Sequence, residues 1–323
     1  MRIISWNING IAPFLQKPIT SFFRSKEFSK KIHSGISSPS LRRFLKRHNW
    51  PEILFLQEVK IAASDTKTQD NVRGATNTQS RENSTRFQCA WPKGNGKVYG
   101  VCSIIRNDVS TSYQAKFRTV DWDKEERISV VELKTPNFKL ALFNIYAVNG
   151  TDNPYRNLST GAIQGTRHDI KLMFHRFLME ESKSLEARGW DVLLAGDFNV
   201  APNVMDGYPK LRSCPKQHVV NRIDFHNRIL GGSGDGIGQG LNGVDIWRKM
   251  HENERRYTYF PRGKAWGSSC DRVDYFIAGR GTWTKGLIKS CAILDSEVER
   301  GPSDHVTVWV DADLAAQDLT EAI

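Results

Sequence analysis

Cysteine is the first shortage: five residues among 323, at positions 89, 102, 214, 270 and 291, with no Cys-x-x-Cys pair. An odd, widely spaced set builds neither a disulfide framework nor a zinc module, and it fits a reducing interior, so the chain reads as intracellular. Long apolar runs are missing too. No stretch approaches the roughly eighteen uninterrupted apolar residues of a membrane span, so no membrane partner is expected. Residues 231–243 carry seven glycines, but no Gly-Lys-Ser/Thr follows, which excludes a nucleotide P-loop and leaves a flexible surface loop. No repeat or compositional break divides the chain, so one domain over 1–323 is the simplest organisation. "MRIISWN" reads as a strand from its second residue, so no leader is expected. Acidic residues are scarcest at 11–50, where nine lysines and arginines face Glu27 alone, a local surplus of eight within a net charge of +11. Clustered positive charge suits a phosphate backbone or an acidic membrane surface; a solvated helix face is the plainer alternative.

What is present is a series of short β-rich runs: 2–6, 53–57, 98–105, 127–133, 139–148, 192–195, 273–278 and 306–310. Helical patterns lie between some of them. Ile170, Met173, Phe174, Phe177, Leu178 and Leu185 fall on one 3.6-type face over 169–189, with Gly189 as a stop signal. Residues 40–48 read as a short basic helix with Leu41, Phe44 and Leu45 inward, and Ile223 to Leu230 as another. Residues 64–86 are polar and read as a mobile loop. The composition, 39% hydrophobic, is enough for a sizeable core.

Several apolar runs end abruptly on polar residues. The first ends on Asn7, with Asn9 close behind; the second on Glu58; "VLLA" on Asp197 and Asn199; and 139–148 carries Tyr146 and Asn149 at its trailing end. Two runs reverse the order, with Asp274 opening "YFIA" and Asp304-His305 opening "VTVWV". Any one of these residues is an ordinary turn cap. Together, trailing ends and leading ends share one site only if the strands run in opposite directions, which predicts mixed sheets and not an all-parallel fold. Convergence of Glu58, Asp197, Asp274 and Asp304 demands a counter-charge, because like charges raise one another's pKa. Oxygen donors without thiolates suit a hard divalent cation, Mg²⁺ before Mn²⁺ or Ca²⁺, leaving some carboxylates free for acid–base work. An imidazole at His305, held by Asp274, stays protonated and donates to a phosphoryl oxygen. This set points to hydrolysis of a phosphate ester.

At these residues the chain resembles the exonuclease III family of apurinic/apyrimidinic (AP) endonucleases, within the endonuclease/exonuclease/phosphatase superfamily. The matching pieces, "SWNING", "LQEVK", "NIYAVNG", "GDFNVAP", "DRVDYF" and "SDH", occur in family order and span residues 5 to 305. The resemblance implies a four-layer α/β sandwich of two mixed β-sheets flanked by helices. It implies metal binding by Glu58 with Asn9 and Asp304, water activation by Asp197 with Asn199 and Asn7 fixing the geometry, and phosphate contact by His305, supported by Asp274, together with Tyr146 and Asn149. The implied reaction is Mg²⁺-dependent cleavage of double-stranded DNA 5′ to an abasic site, with Mn²⁺ as a substitute metal. Trimming of blocked 3′ ends or 3′–5′ exonuclease action accompanies it in the family. A DNA-repair role implies the nucleus, with the mitochondrion as alternative, and a monomer. Acidic Asp271 stands where relatives often carry an aromatic; Tyr259, Phe260, Trp266 and Val273 remain to wall a sugar pocket. Arg42, Arg43, Lys46 and Arg47 in the 11–50 insertion, with Trp266 and Arg272, are the candidates for DNA contact. The competing readings are a nuclease of this fold without abasic specificity, retroelement-like or non-specific, and a lipid or nucleotide phosphatase.

Overall fold

In the computed structural model, which describes residues 1–15, 39–62, 64–77, 87–90, 100–157, 160–231 and 239–314, the apolar runs pair into two six-stranded sheets. The first has the order β15 (Ile288–Ile293), β16 (Val308–Ala312), β1 (Arg2–Asn7), β2 (Ile53–Gln57), β4 (Val101–Arg106), β3 (Phe87–Ala90). The second runs β12 (Val244–Asp245), β14 (Asp274–Ala278), β10 (Asp191–Asp197), β7 (Lys139–Tyr146), β6 (Ile128–Lys134), β5 (Lys116–Arg118). Two small two-stranded antiparallel sheets, β8 (Pro154–Arg156) with β9 (Ile163–Thr166) and β11 (Gly207–Tyr208) with β13 (Cys270–Asp271), complete the strands. Each large sheet holds one parallel pair, β1 with β2 and β7 with β10; the other pairings are antiparallel. The mixed sheets expected from the polar strand ends are therefore present.

Strand alternation sorts the core into layers. Ile3, Phe55, Leu142, Leu193 and Phe276 meet between the sheets. Their neighbours point outward: Ile4, Leu54 and Leu56 under α2 (Leu41–Arg47), and Val192, Leu194 and Phe143 under α5 (Arg167–Ala187) and α6 (Gln217–Phe225). That is the four-layer sandwich. Short α4 (Asn107–Ser112) lies beside β3 and β4, and Phe14 of short α1 (Ala12–Leu15) packs edge-on against Trp6 of β1. No helix among the described residues is long and apolar enough to cross a membrane.

Three readings of the sequence change. The polar stretch at 64–86 contains a helix, α3 (Thr66–Thr76), begun by the Asp65 carboxylate accepting from Thr68 N–H at 3.0 Å and anchored by buried Val72. Its apolar content is too low to register as a period; a cap and packing against α2 fold it instead. Residues 78–86, the basic run 16–38 and the glycines at 232–238 lie outside the described residues. Met173 is exposed; the buried stripe of α5 runs through His168, Lys171, Phe174, His175, Leu178, Ser182 and Leu185. The helix expected over 223–230 begins earlier, at Gln217, and its last turn widens to a π-helix over His226–Leu230.

Candidate active site

The two parallel pairs deliver their carboxyl ends to the same rim. Asn7 ends β1, Glu58 follows β2, Tyr146 ends β7 and Asp197 ends β10. Antiparallel β14 enters from the opposite direction, so Asp274 is the direct cross-strand partner of Asp197, and Tyr146 is its partner on the other side. Gly196 makes this close approach possible. At φ +140 a Cβ there would sit 1.9 Å from the Ile145 carbonyl, so any side chain would force β7 and β10 apart one residue before the carboxylate.

The polar side chains then interlock. Asp274 Oδ2 accepts from His305 Nδ1 at 2.7 Å, and His305 Nε2 lies 3.9 Å from Asp197 Oδ2. Asp197 accepts from Asn7 Nδ2 at 2.9 Å and from the Asn199 backbone N–H at 2.8 Å. Asn199 Nδ2 also donates to Asp197 Oδ2 at 3.3 Å, so the two side chains meet, though not by strand alternation. The strand has ended, Asn199 lies in the left-handed region at φ +54, and its N–H closes the turn on the carboxylate it follows. Phe198 turns into the core, stacked on Tyr275 with centroids 4.7 Å apart. Asp304 and His305 sit in the turn before β16, which begins at Val308, and Trp6 Nε1 donates to the His305 carbonyl at 3.1 Å.

Burial, reinforced by Asp274, pushes the Asp197 carboxyl up to about 7, a poise suited to a general base. Burial disfavours the His305 imidazolium, but Asp274 and Asp197 outweigh it and push its pKa up to about 10. Burial, then the carboxylates of Glu58 and Asp197, raise the Tyr146 phenol, so it stays a neutral donor. Asn149 Oδ1 accepts from Arg167 Nη1 at 2.6 Å, which leaves the Asn149 amide N–H₂ to face the cleft it lines.

A second oxygen cluster lies at the same rim. Asn9 Nδ2 donates to Asp304 Oδ1 at 2.7 Å, while Lys60 Nζ bonds Asn9 Oδ1 at 2.5 Å and lies 3.2 Å from Glu58 Oε1. The exposed Lys60 ammonium is thus a cation already drawn to the oxygens of Glu58 and Asn9. Two carboxylates and an amide oxygen, with no sulfur, are the donor set of a hard divalent ion, so these residues fit one. Asn9 (φ +49) and Glu58 (φ +53) are also left-handed, a conformation costing about 1–3 kcal/mol where the residue is not glycine. Asp197, Asp274 and His305 also lie close enough to share an ion, but His305 already occupies the space between the two carboxylates.

Glu58, Tyr146, Asn149, Asp197, Asn199, Asp304 and His305 line one cleft of about 310 Å³. Sequence reasoning missed several of its walls. Lys171, only 1% exposed, donates from α5 to the Asn199 carbonyl at 2.6 Å, and burial pushes it down to about 7 against the pull of Asp197. Its signal was a lysine on the apolar stripe of a helix. Arg212, His218 and Arg222 also line the cleft. One expected DNA contact belongs elsewhere, and two expected pocket walls do not line the cleft. Arg272 is fully buried and bonded to Asp206 and Asp245, so it has no surface to offer DNA. Trp266 and Phe260 stack on each other 3.8 Å apart against the core between the sheets, which leaves Tyr259 and Val273 as the pocket walls. Arg42, Arg43, Lys46 and Arg47 are exposed on α2, with Arg47 paired to Glu299 at 2.8 Å.

This constellation on two mixed sheets defines a metal-dependent phosphodiesterase. Residues 4–305 match the Endonuclease/Exonuclease/phosphatase family, and the chain belongs to it. The fold is shared with the AP endonuclease LMAP from Leishmania major, at 17% identity and TM-score 0.68 over 96% of this chain and 86% of that one. It is shared with the APE2 catalytic domain from Xenopus laevis, at 17% identity and TM-score 0.65 over 97% and 91%. A single-substitution form of the 3′ phosphatase NExo from Neisseria, bound to a product DNA hairpin, gives 19% identity and TM-score 0.60 over 97% and 99%. No curated protein sequence matches the chain.

Proposed function

We propose that the chain is a Mg²⁺-dependent DNA repair nuclease that hydrolyses the phosphodiester 5′ to an abasic site, with 3′-phosphodiesterase or 3′–5′ exonuclease activity. The observation that carries this reading is the cross-strand pair Asp197–Asp274 with His305 bonded to Asp274 and aimed at Asp197. Asp197, held by Asn7 and Asn199, takes the proton of the attacking water. His305, kept charged by Asp274, donates toward a phosphoryl oxygen, as do the Tyr146 hydroxyl and the Asn149 amide. Glu58, Asp304 and Asn9 would hold the divalent ion, which supplies Lewis-acid stabilisation of the developing negative charge. Lys171 acts one step back, fixing the Asn199 carbonyl and so the turn that orients Asp197.

A second reading, hydrolysis at DNA 3′ ends without abasic specificity, draws on the pocket wall. Asp271, ion-paired to Arg212 at 2.9 Å, stands there, while Phe260 and Trp266 face away. One assay separates the two. Labelled duplexes that are intact, abasic, nicked or 3′-blocked are incubated with Mg²⁺ or EDTA, beside Asp197→Asn. The first reading expects a cut 5′ to the abasic site, silence in EDTA, and a loss of about 10²–10⁴-fold in kcat for the variant. Cleavage that survives EDTA, or a variant as fast as the parent, sinks the mechanism. Degradation of 3′ ends with the abasic duplex spared selects the second reading.

A further inference from the structure

Arg222 is a cation inside the cleft that feels the Asp271 carboxylate only through space. Its Nε donates to the Ala201 carbonyl at 2.9 Å and its Nη2 to the Arg212 carbonyl at 2.7 Å, and no carboxylate lies within ion-pair distance among the described residues. Two carbonyls pin the guanidinium against the wall, and three of its five N–H donors remain. Arg212 beside it differs: its side chain is half exposed, and its carboxylate partner Asp271 is nearly buried. Tyr259 bridges to Asp271 on one edge and to His305 on the other, so Asp271 and the catalytic histidine are two strand spacings apart, about 10 Å. Arg212 and Arg222 line the same cleft as His305.

We propose that Arg222 and Arg212 form a second anion subsite in the cleft, beyond Tyr259. It takes the phosphate next to the scissile one on the same strand, and Asp271 is an internal carboxylate that holds Arg212 until that phosphate displaces it. A dianionic or diester phosphate accepts several N–H donors at once, and a fixed and a movable guanidinium together offer the forked geometry such groups favour. The proposal rests on the phosphodiester reading above and adds to it that a good substrate presents two phosphates, as a polynucleotide does.

The test compares two substrates: a nicked or abasic duplex, and thymidine 5′-monophosphate p-nitrophenyl ester, which carries one phosphate. Binding of the fluorescent duplex in EDTA is measured alongside. Arg212→Ala and Arg222→Met should each raise KM and Kd for duplex about tenfold, with kcat within twofold and the one-phosphate ester unaffected; Arg222→Lys should retain most of the affinity. Asp271→Asn should change Kd in the opposite direction, tightening duplex binding severalfold, because Arg212 loses its internal competitor. Equal losses on both substrates, or an Asp271→Asn variant that binds no tighter, overturn the subsite. If the parent cleaves neither substrate but binds duplex in this Arg-dependent way, the hydrolytic reading fails and the subsite stands.

Discussion

Two buried ionic clusters lie on either side of Val273, and they do opposite work. On one side Arg272 is fully buried, its guanidinium bonded to both oxygens of Asp206 and both of Asp245, with Arg248 adding a further bond to Asp206. Two cations meet two carboxylates. Asp206 stays below its usual pKa, because the two arginines override its burial. On the other side Asp274, Asp197 and His305 set two carboxylates against one imidazolium. There the second carboxylate is left short of charge: Asp197 is pushed up, and Asp274 Oδ1 is buried without a partner among the described residues. A matched cluster is mortar. A mismatched one, opened onto a cleft, retains a proton-accepting group and a demand for a cation.

The comparison is broken most forcefully by removing a charge from each cluster in turn. Arg272→Met strands two buried carboxylates and should cost about 3–5 kcal/mol of stability, read as a lower urea midpoint at unchanged slope. Any soluble fraction that folds should keep a normal kcat. Asp274→Asn should do the reverse. His305 loses its orienting acceptor and part of its charge stabilisation, kcat falls about 10²-fold, and the urea midpoint moves little. If Arg272→Met lowers kcat while leaving stability intact, the arginine belongs to the site and the distinction between the clusters is wrong.

Titration sharpens the same contrast. Asp197 must be deprotonated to accept a proton and His305 protonated to donate one. The rate kcat/KM should therefore rise with pH up to about 7 and fall again through about 10. Asp274 raises both groups, so Asp274→Asn should move both limbs to lower pH; a divalent ion at Glu58 would lower the acid limb further by adding positive charge nearby. A profile flat from pH 5 to 8 would remove Asp197 as the base.

Much of this site was legible because sheets announce themselves by alternation. A polar residue closing an apolar run has to emerge at the end of a strand, and opposite orders of polar and apolar required antiparallel neighbours; Asp197 opposite Asp274 meets both conditions. Arg272 misled because it sits two residues before Asp274. Its true partners are 66 and 27 positions away, a pairing no local pattern displays. Arg212 and Arg222 carry no signal for the same reason: a cation in a cleft and a cation on a surface look alike in sequence. Lys171 was within reach, since it occurs three residues before Phe174 and seven before Leu178 on the buried stripe. Helix α3 was hidden by its composition, because an Asp cap and one buried valine do not make a periodic signal.

The basic face of α2 provides the mildest contrast, for its charges should alter no chemical step. Leu41, Phe44 and Leu45 are buried, and Phe44 stacks 4.7 Å from Trp6, the residue before Asn7, so the helix is mounted directly behind the site. Arg42, Arg43 and Lys46 are exposed, Arg42 with Nη2 donating to the Asn77 carbonyl at 2.5 Å, and Arg47 is ion-paired to Glu299. We propose that this face grips the DNA backbone. Neutralising all four should flatten the plot of log affinity against log salt by at most about 0.9 per lost phosphate contact, so by about three units if Arg47 stays with Glu299. Single-turnover cleavage at saturating enzyme should not change. An unaltered salt slope would make α2 a solvated face; a slower single turnover would mean that the substitutions had shifted Trp6 and Asn7 behind it.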